Sequence, residues 1–436
     1  MHPSFYIGKN REVRMKIDKK SKWGRIYYRF LHTSLALSLL TLAGLWLLEV
    51  WNRVPSDIRV RAGAPQGLEF SIPATATIYK DKGQGQVNVK LNRELTFYGE
   101  EEETYTMRVQ LFGFIPFKES ALSVIRDTRL TPVGTPIGIY VHTKGVLVID
   151  TGQFKNDKGK EVAPARGVLE PGDYICAINE TRLENKGQLM DSIAACEGEK
   201  LLLEVNRGGQ TLQLDIQPQK DTQGEYKLGI WVRDNAQGIG TMTFVDENGY
   251  FGALGHGIND VDTASLMELE DGGLYKTDII SVNKGTPGEP GELSGIIAYA
   301  KKNKLGEILQ NSNRGIYGKV EKENLNVDSI QEALPLALKQ EIEKGPAQIL
   351  CTLSTTPTYY DIEILEVNKE NSQINRGLEI KVTDPELLEI TGGIIQGMSG
   401  SPIIQDGKLV GAVTHVMVND PTRGYGIFIE EMLGNN

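Results

Sequence analysis

The sharpest chemical signal in the chain is Gly397-Met398-Ser399-Gly400-Ser401-Pro402, followed by the apolar pair Ile403-Ile404. A serine with glycine two places before it and one place after suits a tight turn that presents its hydroxyl. Gly397 lets the backbone aim its own N–H and that of Ser399 at one point, where an oxyanion would develop during attack on a carbonyl. Gly400 leaves room for a substrate backbone. A serine hydroxyl needs a base to become a nucleophile. The histidines are His2, His32, His142, His256 and His415. His256 lies in Phe251-Gly252-Ala253-Leu254-Gly255-His256-Gly257, at the end of an apolar strand and flanked by glycines, and is the best-placed base. His415 lies sixteen residues after Ser399 and has an alternative role, reading an acidic or amide side chain of the substrate. An aspartate that orients the imidazole could be Asp278, Asp361 or Asp384, and spacing does not choose among them. A Ser/His site needs no metal or organic cofactor. The cysteines Cys176, Cys196 and Cys351 are too scattered for a zinc site or a disulfide scaffold.

These residues need a scaffold, and the rest of the chain supplies it in segments. At 436 residues, with 48 glycines and 18 prolines, the chain reads as several domains built from many short strands. Residues 1–31 carry a net charge of +7, which leaves −17 on the remainder of a chain whose total is −10. Residues 1–29 form a basic tail. Phe30–Leu48 holds no charge and is long enough to cross a bilayer as a helix, with Trp46 and Trp51 at its far edge. Residues 30–51 therefore read as a transmembrane anchor, the tail facing the cytoplasm and the rest exported; the alternative is a cleaved signal peptide, for which the apolar stretch is long and no small-x-small site follows at once. A basic stretch in this position flanks a membrane segment and does not indicate a nucleic-acid partner. Residues 52–118 read as a strand-rich spacer, with strands at 70–73, 75–79, 86–91 and 104–112.

Residues 119–219 read as a compact α+β module. It has a strand from Ile137 to Val141, a helix over Asn185–Cys196, and a hairpin turning at Arg207-Gly208-Gly209-Gln210. Gly167–Asn179, reading GVLEPGDYICAIN, resembles the corresponding stretch of PDZ domains. That resemblance implies a groove that takes a peptide C-terminus by strand addition, with Ile137, Gly138 and Ile139 in the carboxylate-binding loop. Residues 220–436 have many short strands and glycine turns, the pattern of an all-β barrel, with one helix expected near Asp328–Glu343. Here GMSGSP resembles the nucleophile turn of chymotrypsin-like serine proteases, and Lys408–Val416 resembles the strand lining their specificity pocket. The implied fold is mainly β: anchor helix, spacer, PDZ domain and a double-barrel peptidase domain.

The order of these modules resembles the stage IV sporulation protein B serine peptidases of endospore-forming bacteria. The resemblance implies Ser399 as nucleophile, His256 as base and Asp384 as the orienting acid, with Gly397 and Ser399 forming the oxyanion hole. It implies secretion from the forespore into the intermembrane space. The expected activity is cleavage of itself and of a regulator of an intramembrane metalloprotease, which triggers sigma-factor processing under PDZ control. Self-cleavage is expected at about residues 52–80. The competing reading is a non-catalytic, membrane-tethered PDZ adaptor with a degenerate barrel; the presence of both Ser399 and His256 argues against it. A quality-control protease of the HtrA type is less well matched, because there the PDZ domain follows the protease domain.

Overall fold

The computed structural model describes residues 22–80, 85–325, 332–369 and 373–434. The chain divides into two units, Met1–Ile125 and Arg126–Asn436.

In the first unit, helix α1 (Lys22–Arg53) is apolar on all sides through Phe30–Leu48. Among the described residues it is the one helix long and apolar enough to cross a membrane. An all-round apolar helix with exposed leucines suits lipid better than water. Its C-terminal end packs on protein: Val50, and Val54 just beyond the helix, are buried in the core of the sheet that follows. That sheet contains β1 (Asp57–Arg61), β2 (Ala74–Lys80), β3 (Gln86–Lys90), β4 (Thr104–Leu111) and β5 (Ile115–Ile125), in the order β1-β5-β4-β2-β3. Its burial alternates along β2 and β5, so one face closes on Ile78, Met107, Val109 and Leu122. The strand expected at 70–73 does not form. Phe70 and Ile72 are buried in the core, but Pro73 has no N–H to offer a ladder.

The second unit is organised by one long strand, β6 (Pro136–Thr151). Its second half pairs with β7 (Tyr174–Ile178). Beyond β7 lie helix α2 (Lys186–Ala195) and the hairpin β8 (Leu201–Arg207) and β9 (Gln210–Ile216), packed round Ile175, Leu189 and Leu203. Asn185 caps α2 by accepting from Gln188 N at 3.0 Å. The hairpin turns at Gly208-Gly209 with both φ positive, as its twist requires.

The first half of β6 belongs to a barrel. β6 pairs with β10 (Ile230–Val245) on one side and β12 (Leu269–Tyr275) on the other. β10 pairs with β11 (Tyr250–Ala253), and β13 (Lys304–Ser312) and β14 (Gly315–Val320) close the ring between β12 and β11. Ile137, Ile139 and Val141 fill its interior with Met242, Phe251 and Leu274. The second barrel closes in the order β15 (Gly345–Cys351), β16 (Thr358–Val367), β17 (Leu378–Val382), then β20 (Asp420–Phe428), β19 (Lys408–Met417) and β18 (Pro402–Gln405). Helix α3 (Pro385–Thr391) follows β17. The expected double barrel is present.

Two further expectations need correction. The helix foreseen at Asp328–Glu343 is absent where that segment is described: Leu334–Pro335 is a short strand and Lys339–Glu341 a single 3-10 turn. Pro335 removes the N–H a continuous helix would need; residues 328–331 lie outside the described residues. Ile137, Gly138 and Ile139 do not form a peptide-binding loop. They lie in β6 with strands on both sides, Ile137 opposite Gly240, and Gly138 and Ile139 opposite Tyr275 and Leu274, so no sheet edge is left for an added peptide strand.

Candidate active site

Ser399 and His256 come from different barrels and line one cavity of about 300 Å³. Leu254, His256 and Ile258 form one wall, and Gln396, Gly397 and Ser399 the other.

His256 leaves β11 through a left-handed turn: Leu254 and Gly255 have φ of 69° and 70°. A non-glycine residue held in that region stores strain, which is common beside active sites. The side chain of Asn311, on β13, secures the loop beyond. Its Oδ1 accepts from Ile258 N at 2.8 Å, and its Nδ2 donates to Ile258 O at 2.9 Å and Met267 O at 3.0 Å. The half-buried His256 ring bonds through Nδ1 to Gly257 O at 2.9 Å. A carbonyl only accepts, so Nδ1 carries the proton and Nε2 keeps its lone pair for use as a base. Burial pushes the His256 pKa below its ordinary value, which keeps the ring neutral at pH 7.

The turn that carries Ser399 is held by β10. Thr241 Oγ1 donates to Gly397 O at 2.7 Å and Thr243 Oγ1 to Gly400 O at 2.8 Å. Thr241 N donates to Ser399 O at 2.9 Å. Two threonines at strand spacing face the same side, so both reach the same turn. Gly397 and Gly400 have φ of 96° and 100°. Ser399 Oγ donates to Thr414 O at 2.7 Å, a resting position on the carbonyl of β19. Rotation about χ1 is the motion that would direct this hydroxyl elsewhere.

The structure does not bring Asp384 to His256. Asp384 is the N-cap of α3: its carboxylate accepts from Glu386 N at 2.9 Å, Leu387 N at 3.0 Å and Asp361 N at 3.3 Å. Pro385 at the first helical position completes a purely local capping signal. Asp278 is exposed on a ribbon made by Thr277–Asn283 and Glu292–Ile297. Asp361 is exposed and accepts from Gln348 Nε2 at 2.9 Å.

The group that does face His256 is His415, with ring centroids 5.0 Å apart and planes at 36°. Burial lowers the His415 pKa to about 4, aided by His256 and by Arg376. A depressed histidine pKa means the unfolded chain binds the proton more readily than the folded one. The stabilisation is full above the unfolded value of about 6.5. It is lost as pH falls from there towards about 4. His415→Gln is therefore expected to reduce the loss of melting temperature between pH 6.5 and 4 relative to wild type, measured as the difference between the two pH profiles.

Residues 224–433 match the family model of the SpoIVB peptidase S55. Over these residues the chain is similar to the SpoIVB peptidase S55 family. A membrane metalloprotease of Arabidopsis thaliana chloroplasts, ARASP2, is 30% identical over 115 residues, 25% of this chain and 24% of that protein. The chain thus spans about a quarter of the length of that curated relative. Among solved structures, the HtrA-type protease AlgW with a tripeptide is 14% identical, covering 45% of this chain and 54% of that one at a TM-score of 0.26. The active form of the Rv3671c protease of M. tuberculosis is 14% identical, covering 46% and 72% at a TM-score of 0.24.

Proposed function

We propose that this SpoIVB-type chain is a membrane-anchored, exported serine endopeptidase whose working pair is Ser399 and His256. The observation that carries the reading is their convergence, from two barrels, on one cavity whose other wall includes Gly397. Ser399 Oγ leaves Thr414 O, gives its proton to His256 Nε2 and attacks the scissile carbonyl. The N–H groups of Gly397 and Ser399 receive the oxyanion. His256 then returns the proton to the leaving amine. The Gly257 carbonyl holds the imidazole in the required tautomer, the orienting task an aspartate performs in a Ser-His-Asp triad.

The substrates we propose are the chain itself, cut at about residues 52–80, and a regulator of an intramembrane metalloprotease, in the space between the forespore and mother-cell membranes. No cofactor takes part in these steps. The PDZ-like module acts on the peptidase through β6, the strand they share, and not through a peptide bound at residues 137–139.

The test is labelling of the full chain by a fluorophosphonate together with self-cleavage, wild type beside Asp384→Asn. Asparagine caps helices about as well as aspartate, so this variant should keep its stability, while Asp384→Ala should lose about 1 kcal/mol. If Asp384 only caps α3, Asp384→Asn retains near-normal labelling. A loss of about 10⁴ in kcat would instead make it the orienting acid. A wild-type chain that neither labels nor shortens would favour the adaptor reading.

A further inference from the structure

We infer that the hairpin joining β4 and β5 is a second membrane contact, inserted into the lipid interface beside α1. The inference goes beyond the peptidase reading and rests on α1 lying in a bilayer.

The hairpin tip is unusual for a turn in water. Leu111-Phe112-Gly113-Phe114-Ile115-Pro116-Phe117 contains no charge. Phe112, Phe114 and Ile115 are 56%, 71% and 43% exposed, although turns facing solvent favour small polar residues. Contiguous exposed apolar side chains of this kind mark a contact surface.

The neighbouring helix says what the contact is. The Phe112 ring stacks on Trp46 of α1, with centroids 6.1 Å apart and planes within 16°. Trp46 belongs to the uncharged stretch of the helix, one turn before the ion pair of Glu49 with Arg53, whose side chains bond at 2.6 Å. At 1.5 Å rise per residue, Trp46 sits about 4.5 Å deeper than Glu49. That is the interfacial level tryptophan prefers. Further from the membrane, Trp51 meets Phe117 edge-on at 5.4 Å, and Lys118 Nζ lies 4.8 Å over the Trp51 ring while donating to Val54 O at 2.5 Å. These contacts fix the hairpin against the helix, so its tip and Trp46 share one depth.

Backbone accounting is compatible with lipid. Phe112 N donates to Pro73 O, Gly113 N to Gln110 O and Phe114 N to Leu111 O. A turn whose N–H groups are already used can enter an apolar interface without leaving them unpaired. A consequence for the proposed self-cleavage follows. Cutting after α1 would not by itself free the exported part, because the hairpin would remain as a peripheral hold.

The experiment uses the full chain in phosphatidylcholine–phosphatidylglycerol vesicles containing a lipid with a photoactivatable carbene precursor in its acyl chain. Adducts are mapped by mass spectrometry. Adducts are expected on α1 and on residues 112–115. The double variant Phe114→Asp, Ile115→Asp should retain its melting temperature, because both residues are exposed, and should lose the hairpin adducts to background while keeping those on α1. Adducts on α1 alone would overturn the inference and leave the anchor intact. Adducts on neither would overturn both. Cross-links from the hairpin to a second copy of the chain would also overturn it, in favour of a protein contact.

Discussion

Ser399→Ala is expected to abolish peptide hydrolysis and fluorophosphonate labelling while leaving the fold in place. Removal of a catalytic serine lowers kcat by about 10⁶ in enzymes whose serine and histidine act as a unit. The substitution deletes the hydroxyl and its one hydrogen bond, to Thr414 O, and keeps the Cβ in place as a methyl group. Its structural cost should be about 1 kcal/mol or less. Melting temperature and activity should therefore separate sharply, and His256→Ala should show the same loss without a further decrease in the double variant. Activity retained in Ser399→Ala would remove the acyl-transfer mechanism.

Gly400→Ala is expected to fail in the opposite way, through the fold. A Cβ at this position would press into the backbone carbonyl of Thr241 and come within 2.6 Å of Leu254 N. Neither is a side-chain end that can swing aside, and the φ of 100° is itself a region alanine rarely adopts. Relief would require β10 and the nucleophile turn to separate, breaking the bonds from Thr243 and Thr241 that join the two barrels. The loss should exceed about 3 kcal/mol, at the upper end for a single substitution. Chemical denaturation of the full chain checks this, and a variant as stable as wild type would show that the turn is not held as described. Gly407→Ala is a useful control, with a φ of 73° but nothing within 4 Å of the added carbon.

The turns that carry Ser399 and His256 were legible because each is rich in glycine, where local sequence states the backbone geometry directly. Several barrel strands, at 238–245, 250–253, 361–367, 378–382 and 408–417, were legible from their apolar runs, whereas Leu269–Tyr275, Lys304–Ser312, Gly315–Val320 and Asp420–Phe428 were not. Asp384 was less legible. Asp-Pro ahead of an apolar run is equally a helix N-terminus, and the helix uses the carboxylate for its own amides. The segment Ile137–Val141 is legible as a strand, although not as one with both edges paired. What sequence does not state is that it runs on through Gly145 and that both its edges are taken by strands about 100 and 135 residues further along the chain. Thr241, Thr243 and Asn311 carried no signal, because their importance lies in carbonyls they meet only after both barrels have closed.

β6 ends at Thr151 and β10 begins at Ile230, paired opposite. The intervening residues 152–229 therefore form one loop between adjacent strands of the same wall. Left as free coil, a loop of that length would oppose the pairing by its closure entropy. Folded around its own core, it instead delivers the two strand ends side by side. The module is thus placed to act as an intramolecular clamp for the assembly of the first barrel. A fragment beginning at residue 220 would lack the strand that this barrel closes on, so peptidase activity and the module's integrity should be lost together.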